Sequence, residues 1–409
     1  MSQPTASRLL KQIEDEIIVC GQGKRTQYAL AQPIGQAAAQ QLISLVDESG
    51  FAKRIGTLSL LAHSQMYVEA EGFSEIFQAN AQALLPWYLS PLRAQGFLGR
   101  LLAQQLAPLG VPANPETWDA QFALIAALNT HDAPGALLLG NETAPTQRTP
   151  TCIPTENPGP VLDALAATGA LTLPAGSSAA GEQPKLLALN SQLEPVLVKF
   201  SPPMGTPYGE RWHDLLCAEA LCCQVLQRYG FAVAHNHVEP SSYRTYLLSK
   251  RFDRTATHGR RHIVSMGAAH QGFVKGSYVN WAATADALVR QGRLNPLDAD
   301  KLHTLLQFGR LIGNTDMHNG NAGLFVAGAS LKEIAQGSFS LAPVYDMLPM
   351  RWKPDLMLGA PEYAPFEVDI SRADACTRAA AHEFWQLLST HPLVSQALQN
   401  VATDMTKKF

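Results

Sequence analysis

The stretch GNTDMHNGNAGLF, residues 313–325, decides how this chain is read. Asp316 and Asn321 stand five apart in it. That is the spacing of a phosphoryl-transfer loop, in which the aspartate accepts a hydroxyl proton and the asparagine holds a metal. By itself an Asp-rich turn is more often a capping element than a site, so its neighbours decide. Thirty residues on, Asp346 in VYDML (344–348) follows a strand-like run and offers a second metal ligand. Upstream, Lys199 sits near the end of the apolar run PVLVKF. Glu219 lies mid-helix in LLCAEALCC, where a carboxylate needs a partner, and Lys199 is the candidate. Further upstream, GSSAAGEQPK (176–185) is a run of small residues whose N–H groups can approach phosphates closely. A loop, strands, a lysine, a helix and two acidic stations follow the order of a kinase-like chain.

The bulk composition sets the frame. Of 409 residues, 46% are hydrophobic and 16% charged, which reads as globular rather than disordered. The net charge of −3 excludes a wholly nucleic-acid-bound protein, so any DNA contact is local. Six scattered cysteines form no CxxC pair. They read as reduced, buried thiols of a cytoplasmic protein, and no zinc is assigned. No apolar run approaches 18 residues, so no membrane contact is expected.

Four segments emerge. Residues 1–32 begin with a helical pattern (Ala6, Leu9, Leu10, Ile13). Two short strands follow, joined by Gly21-Gln22-Gly23-Lys24-Arg25, the helix and basic wing of a partial winged helix-turn-helix. Residues 35–150 mix helical periods with breaks; FSEIFQANAQALL (73–85) and GRLLAQQLAPL (99–109) both read as helices. Residues 140–160 hold five prolines and read as a linker. Residues 151–254 carry the small-residue loop, strands at LLALN and PVLVKF, a helix from about 210 to 229 ended by Gly230, and YLLSKRFDR running from a strand into a polar turn. Residues 255–409 are mostly helical.

This ordered set resembles the HipA family of serine/threonine kinase toxins, and within it the YjjJ (HipH) branch, from about residue 35 to the C-terminus. The resemblance implies an α+β, protein-kinase-like fold with a small sheet-bearing N-lobe and a mainly helical C-lobe. The family's loop stands here as Ser178-Ala179-Ala180-Gly181-Glu182-Gln183-Pro184-Lys185. By resemblance Ala180, Gly181, Glu182, Gln183, Pro184 and Lys185 touch ATP phosphates, with Lys199 as the ATP lysine. Ser178 falls at the family's inhibitory autophosphorylation serine. The hinge stands as Lys250-Arg251-Phe252-Asp253-Arg254, contacting adenine through backbone atoms of its first residues, with Lys250 replacing a family glutamate. Asp316 maps to the catalytic aspartate, His318 to Asn321 lie beside the nucleotide, and Tyr345-Asp346 matches the metal-binding pair. Asn321 and Asp346 would hold Mg²⁺. Asn319-Gly320 replaces the family's frequent small-residue–Lys pair and removes a cation.

The expected activity is transfer of the ATP γ-phosphate to Ser or Thr of a cellular protein, which slows growth; the antitoxin partner is unspecified. Two alternatives stand beside it: a DNA-binding regulator with a silent kinase fold, and a metal-dependent nuclease using Asp316, His318, Asn321 and Asp346. For His318, the better reading is orientation of its own loop. In YjjJ-type relatives S-Q-P-T-x-S-R-x-L belongs to a groove-reading helix. That makes Ser2, Gln3, Thr5, Ser7 and Arg8 candidate DNA contacts, with Lys24 and Arg25 at the wing. Against this, residues 4–30 can equally pack as a helix and hairpin on the kinase body.

Overall fold

Short apolar runs split by glycine turns dominate the first 140 residues, whereas long 3.6-residue periods dominate the last 150. The architecture follows that division. The computed structural model describes residues 3–13, 16–21, 23, 26–130, 132–140, 151–171, 183–255, 258–355 and 358–409.

The chain opens with helix α1 (Gln3–Gln12) and a hairpin of β1 (Ile17–Cys20) and β2 (Gln27–Leu30). Ile18, Cys20 and Ala29 pack on Leu61 and Tyr67, and the Gly21 N–H donates to the Tyr67 hydroxyl at 3.1 Å. The hairpin is therefore fastened to the next unit. In register, Ile17 faces Leu30 and Val19 faces Tyr28, and Val19, Tyr28 and Leu30 remain about half exposed. Arg8 is exposed. Ser2, Lys24 and Arg25, and the side chains of Gln3 and Ser7, lie outside what is described.

Next come β3 (Gln40–Val46), β4 (Ala52–Leu61), β5 (Gln65–Ala70), β6 (Phe73–Gln78), α2 (Gly96–Gln105), α3 (Ala120–Leu128) and β7 (Leu137–Leu139). Among the described residues their strands make one antiparallel sheet, ordered β6-β5-β4-β3-β7. Here one expectation is corrected: 73–85 is not a helix but β6 followed by turns. Phe73, Glu75 and Phe77 alternate with the more exposed Ser74, Ile76 and Gln78. A glutamate on the inner face and an isoleucine on the outer one disguise the period of two. Glu75 is accepted inside because the Tyr88 hydroxyl donates to it at 2.9 Å. The 99–109 segment is helical as far as Gln105, within α2.

Residues 141–150 of the proline-rich stretch lie outside the described residues. Then follow α4 (Gly159–Leu171), β8 (Lys185–Leu189), β9 (Pro195–Phe200), α5 (Pro207–Arg228), β10 (Asn236–Pro240) and β11 (Thr245–Lys250). The strands form a sheet ordered β10-β11-β9-β8. α2 packs against it: Phe97 meets Phe200 edge-on at 6.3 Å, in one core with Leu162, Ala188, Val198 and Tyr246. α5 starts where the Thr206 hydroxyl accepts from the Gly209 N–H at 3.0 Å and Pro207 pre-sets the first turn. It stops before Gly230, whose φ of 83° favours glycine. α5 is buried nearly all round, so truncating Leu215 or Leu216 to alanine would cost about 2–5 kcal/mol.

The last unit runs through β12 (Arg254–Thr255), β13 (Gly259–Arg260), β14 (Ile263–Ser265), α6 (Met266–Phe273), α7 (Trp281–Arg290), α8 (Pro296–Leu311), β15 (Gly323–Ala327), α9 (Leu331–Gln336), β16 (Ser338–Leu341), α10 (Ala375–Ser389) and α11 (Gln396–Thr406). Its core centres on aromatic contacts around Trp352 and Trp385, whose rings lie 6.0 Å apart. Four cysteines (20, 217, 222 and 223) are buried, but Cys152 and Cys376 are exposed, contrary to the reading of all six as interior thiols. No described helix is long and apolar enough to cross a membrane.

Candidate phosphoryl-transfer site

β9 delivers Lys199 into the interior and α5 delivers Glu219 opposite it; each is at most 3% exposed. Lys199 Nζ donates to Glu219 Oε1 at 2.6 Å and Oε2 at 2.9 Å, and also to Asp346 Oδ1. Burial works against the ammonium, yet the Asp346 and Glu219 carboxylates outweigh it and hold the Lys199 pKa above that of an ordinary lysine. Burial raises Glu219, with Lys199 pulling it back. Burial also opposes ionisation of Asp346, but Lys199 and then Lys185 keep its pKa below the usual carboxylate range. Lys185 stands directly opposite Lys199 in the β8–β9 ladder, so two lysines share this end of the sheet. Asp346 has φ of 53°, a left-handed conformation that is strained for most side chains.

The loop after α8 is tied down residue by residue. The Asn314 side chain accepts from the Asp316 N–H at 3.0 Å, and Asn321 Nδ2 donates to the Asp316 carbonyl at 2.8 Å. His318 Nδ1 accepts from the Gly320 N–H at 2.9 Å, the loop-orienting role. Three outside donors complete it. Tyr345 Oη donates to the Gly320 carbonyl and Trp281 Nε1 to the His318 carbonyl, each at 2.8 Å, and the Gly267 N–H donates to the Asn319 carbonyl at 2.9 Å. Burial and then Asp346 push the Tyr345 phenol up, which keeps it a neutral donor. The Asp316 carboxylate and Asn321 Oδ1 have no hydrogen-bond partner among the described residues.

Of the residues expected at the phosphates, Ser178, Ala180, Gly181 and Glu182 lie outside the described residues. Gln183 is described, and its Nε2 is buried with no hydrogen-bond partner among the described residues. At the hinge, Lys250 is exposed and pairs with Glu194 at 2.5 Å. Arg251 is committed to the fold: its N–H donates to the Pro195 carbonyl at 3.0 Å, and its guanidinium pairs with Asp132 and Asp253. The Phe252 ring lies 5.7 Å from Tyr345 and 6.2 Å from Phe325.

Residues 177–409 match the HipA-like C-terminal domain, and residues 37–147 the middle domain of YjjJ-like toxins. The chain belongs to the HipA family. It lies on the YjjJ branch: it is 31% identical over 424 residues to Toxin YjjJ of Escherichia coli K12, covering 100% of this chain and 92% of that one. A chain of the Shewanella oneidensis MR-1 HipA, HipB and operator DNA toxin–antitoxin complex superposes with a TM-score of 0.57 at 18% identity. That match covers 90% of this chain and 95% of the other, and it establishes the HipA-like α+β fold.

For a HipA-family chain the donor chemistry of this site is informative. Asn321 Oδ1 and the Asp346 carboxylate are hard oxygen donors of the kind Mg²⁺ takes together with substrate phosphates. The orphaned Gln183 Nε2 asks for an acceptor such as a phosphate oxygen. Sequence reasoning missed Asn314, Trp281 and Gly267, which fix the loop. Trp281 and Gly267 are remote in sequence from residues 316–321, so nothing in the motif points to them.

Proposed function

We propose that this chain is an ATP-dependent protein kinase of the toxin class, which transfers the γ-phosphoryl group to a serine or threonine of a cellular protein and slows growth. The observation that carries this reading is the union of two stations. Buried Lys199 is held between a helix carboxylate and Asp346, while Tyr345, the neighbour of Asp346, holds the loop that presents Asp316. In protein kinases the lysine–glutamate pair and the metal-binding aspartate must both be in place.

The residues divide the work as follows. Lys199 and Lys185 attract the ATP phosphates, and residues 180–185 contribute backbone N–H groups to them. The backbone of residues 250–252 receives adenine. Asn321 and Asp346 would hold Mg²⁺, which when bound neutralises charge on the β- and γ-phosphates. Asp316, its carboxylate unclaimed, accepts the acceptor hydroxyl's proton. That oxygen forms the new P–O bond, the γ-phosphorus bond to the β–γ bridging oxygen breaks, and ADP leaves. Phosphorylation at Ser178 would add about −2 charge to the phosphate-contacting segment and oppose ATP binding. By analogy with the HipA–HipB–DNA complex, we extend the proposal to a protein antitoxin and local DNA contact through residues 2–25.

The test is incubation with γ-labelled ATP and Mg²⁺, with and without cell extract, for the parent chain and for Asp316→Asn and Asp346→Asn. Label on the chain or on an extract protein, lost in both variants, is expected. No label with the parent chain would overturn the reading.

A further inference from the structure

The motif Lys250-Arg251-Phe252-Asp253-Arg254 looks like a polar turn in sequence, yet its charged core is buried. Arg251 and Asp253 are at most 9% exposed, and the Arg254 side chain is 6% exposed. Asp253 accepts from Arg251 at 3.1 and 3.0 Å and from Arg254 at 2.7 Å. One carboxylate cannot balance two guanidiniums. The second comes from the middle domain, about 120 residues away: Asp132 Oδ1 accepts from Arg251 Nη1 at 2.6 Å and from Arg254 Nη2 at 2.8 Å.

The loop bearing Asp132 is moulded to this contact. The Gly135 N–H donates to Asp253 Oδ2 at 2.9 Å, and the Ala133 carbonyl accepts from Arg254 at 2.8 Å. Gly135 has φ of 83°, and a Cβ there would meet His262 Nδ1 at 3.0 Å, so the loop approaches as only glycine permits. Between the two arginines in sequence sits Phe252, its ring tilted against Tyr345 at 5.7 Å; Tyr345 anchors the Gly320 carbonyl and precedes Asp346.

We propose that Asp132 is a positioning residue for the nucleotide-binding hinge, so that the middle domain sets ATP affinity through the Asp132–Arg251–Arg254 clamp. This rests on the kinase reading. Without the Asp132 charge, Arg251 and Arg254 repel across Asp253 and the backbone at Phe252 shifts. The chemistry at Asp316 is left in place, because Asn314, Asn321, Trp281 and Gly267 hold its loop independently of Phe252. The effect therefore falls on nucleotide binding rather than on turnover, since small displacements of a binding backbone are costly.

The experiment uses the full chain and a fluorescent ADP analogue (mant-ADP). The variants are Asp132→Asn, Asp132→Ala and the conservative Asp132→Glu, with Leu398→Ala in α11 as a destabilised control. Expected are Kd for mant-ADP and KM for ATP about tenfold higher in Asp132→Asn, with kcat within about threefold, and substantial recovery in Asp132→Glu. Leu398→Ala lowers the unfolding midpoint but leaves Kd unchanged. Equal Kd in the parent, Asp132→Asn and Asp132→Ala, with only a lower unfolding midpoint, would reduce Asp132 to a structural contact and sink the proposal. Failure of the parent chain to bind mant-ADP would instead sink the kinase reading, and the proposal with it.

Discussion

Two buried ionic clusters stand out, one around Lys199 and one within the Arg251–Arg254 turn itself. Around Lys199, Glu219 and Asp346, two carboxylates meet one ammonium, with a second lysine across the strand. Beside them the Asp316 carboxylate and Asn321 Oδ1 have no partner among the described residues, and Asp346 holds a left-handed backbone angle. Around Asp132 and Asp253, two anions meet the guanidiniums of Arg251 and Arg254, with Arg260 near enough to feel all four charges, and each of the four makes at least two contacts to the others or to nearby backbone. One cluster keeps unfilled valences, as a site for transient ligands does. The other is saturated, as an anchor is. Burial and charge alone do not separate site from anchor; the unspent acceptors do.

That contrast can be broken experimentally. The largest effect belongs to the unspent acceptor: Asp316→Asn should cut phosphoryl transfer by about 10³-fold or more while moving the unfolding midpoint little, as label transfer and thermal unfolding will check. The saturated cluster should behave the other way. Asp253→Asn leaves two buried guanidiniums underbalanced and should destabilise by about 3–5 kcal/mol, read by urea denaturation.

Next is His262, fully buried, which donates from Nε2 to the Tyr88 carbonyl at 3.0 Å and which burial pushes down to about 4. Its folded value lies below its unfolded value of about 6.5, so the unfolded chain takes the proton first. Stability should fall as pH drops from about 6.5 to 4, by about 3 kcal/mol, and His262→Gln should flatten that slope in pH-dependent denaturation. The smallest effect is at Lys250, whose pair with Glu194 is exposed on both sides. Lys250→Ala should cost less than about 1 kcal/mol and leave ATP affinity within about twofold if adenine is held by backbone.

The contrast also marks where sequence is readable. Lys199 and Glu219 announce each other, because a carboxylate amid apolar helix residues must find a cation and one strand offers it. The Asp316–Asn321 spacing and the α5 boundaries are equally local signals. The clamp is not local: Arg251-Phe252-Asp253-Arg254 reads as a solvated turn until Asp132 arrives from another domain to balance it. The β6 error has a related cause, since Glu75 became tolerable inside only through Tyr88, thirteen residues away. Local pattern shows what a residue needs, and tertiary contact shows whether it is supplied.

Asp346 carries a last consequence. At φ of 53° only glycine, asparagine and aspartate sit comfortably, and of these only aspartate brings a full negative charge to Lys199. Chain geometry and electrostatics thus impose independent filters that one amino acid alone passes. An alanine scan would blur them, charging a backbone penalty to lost chemistry. Asparagine and glycine, compared side by side, would separate the shape of the corner from the charge it carries.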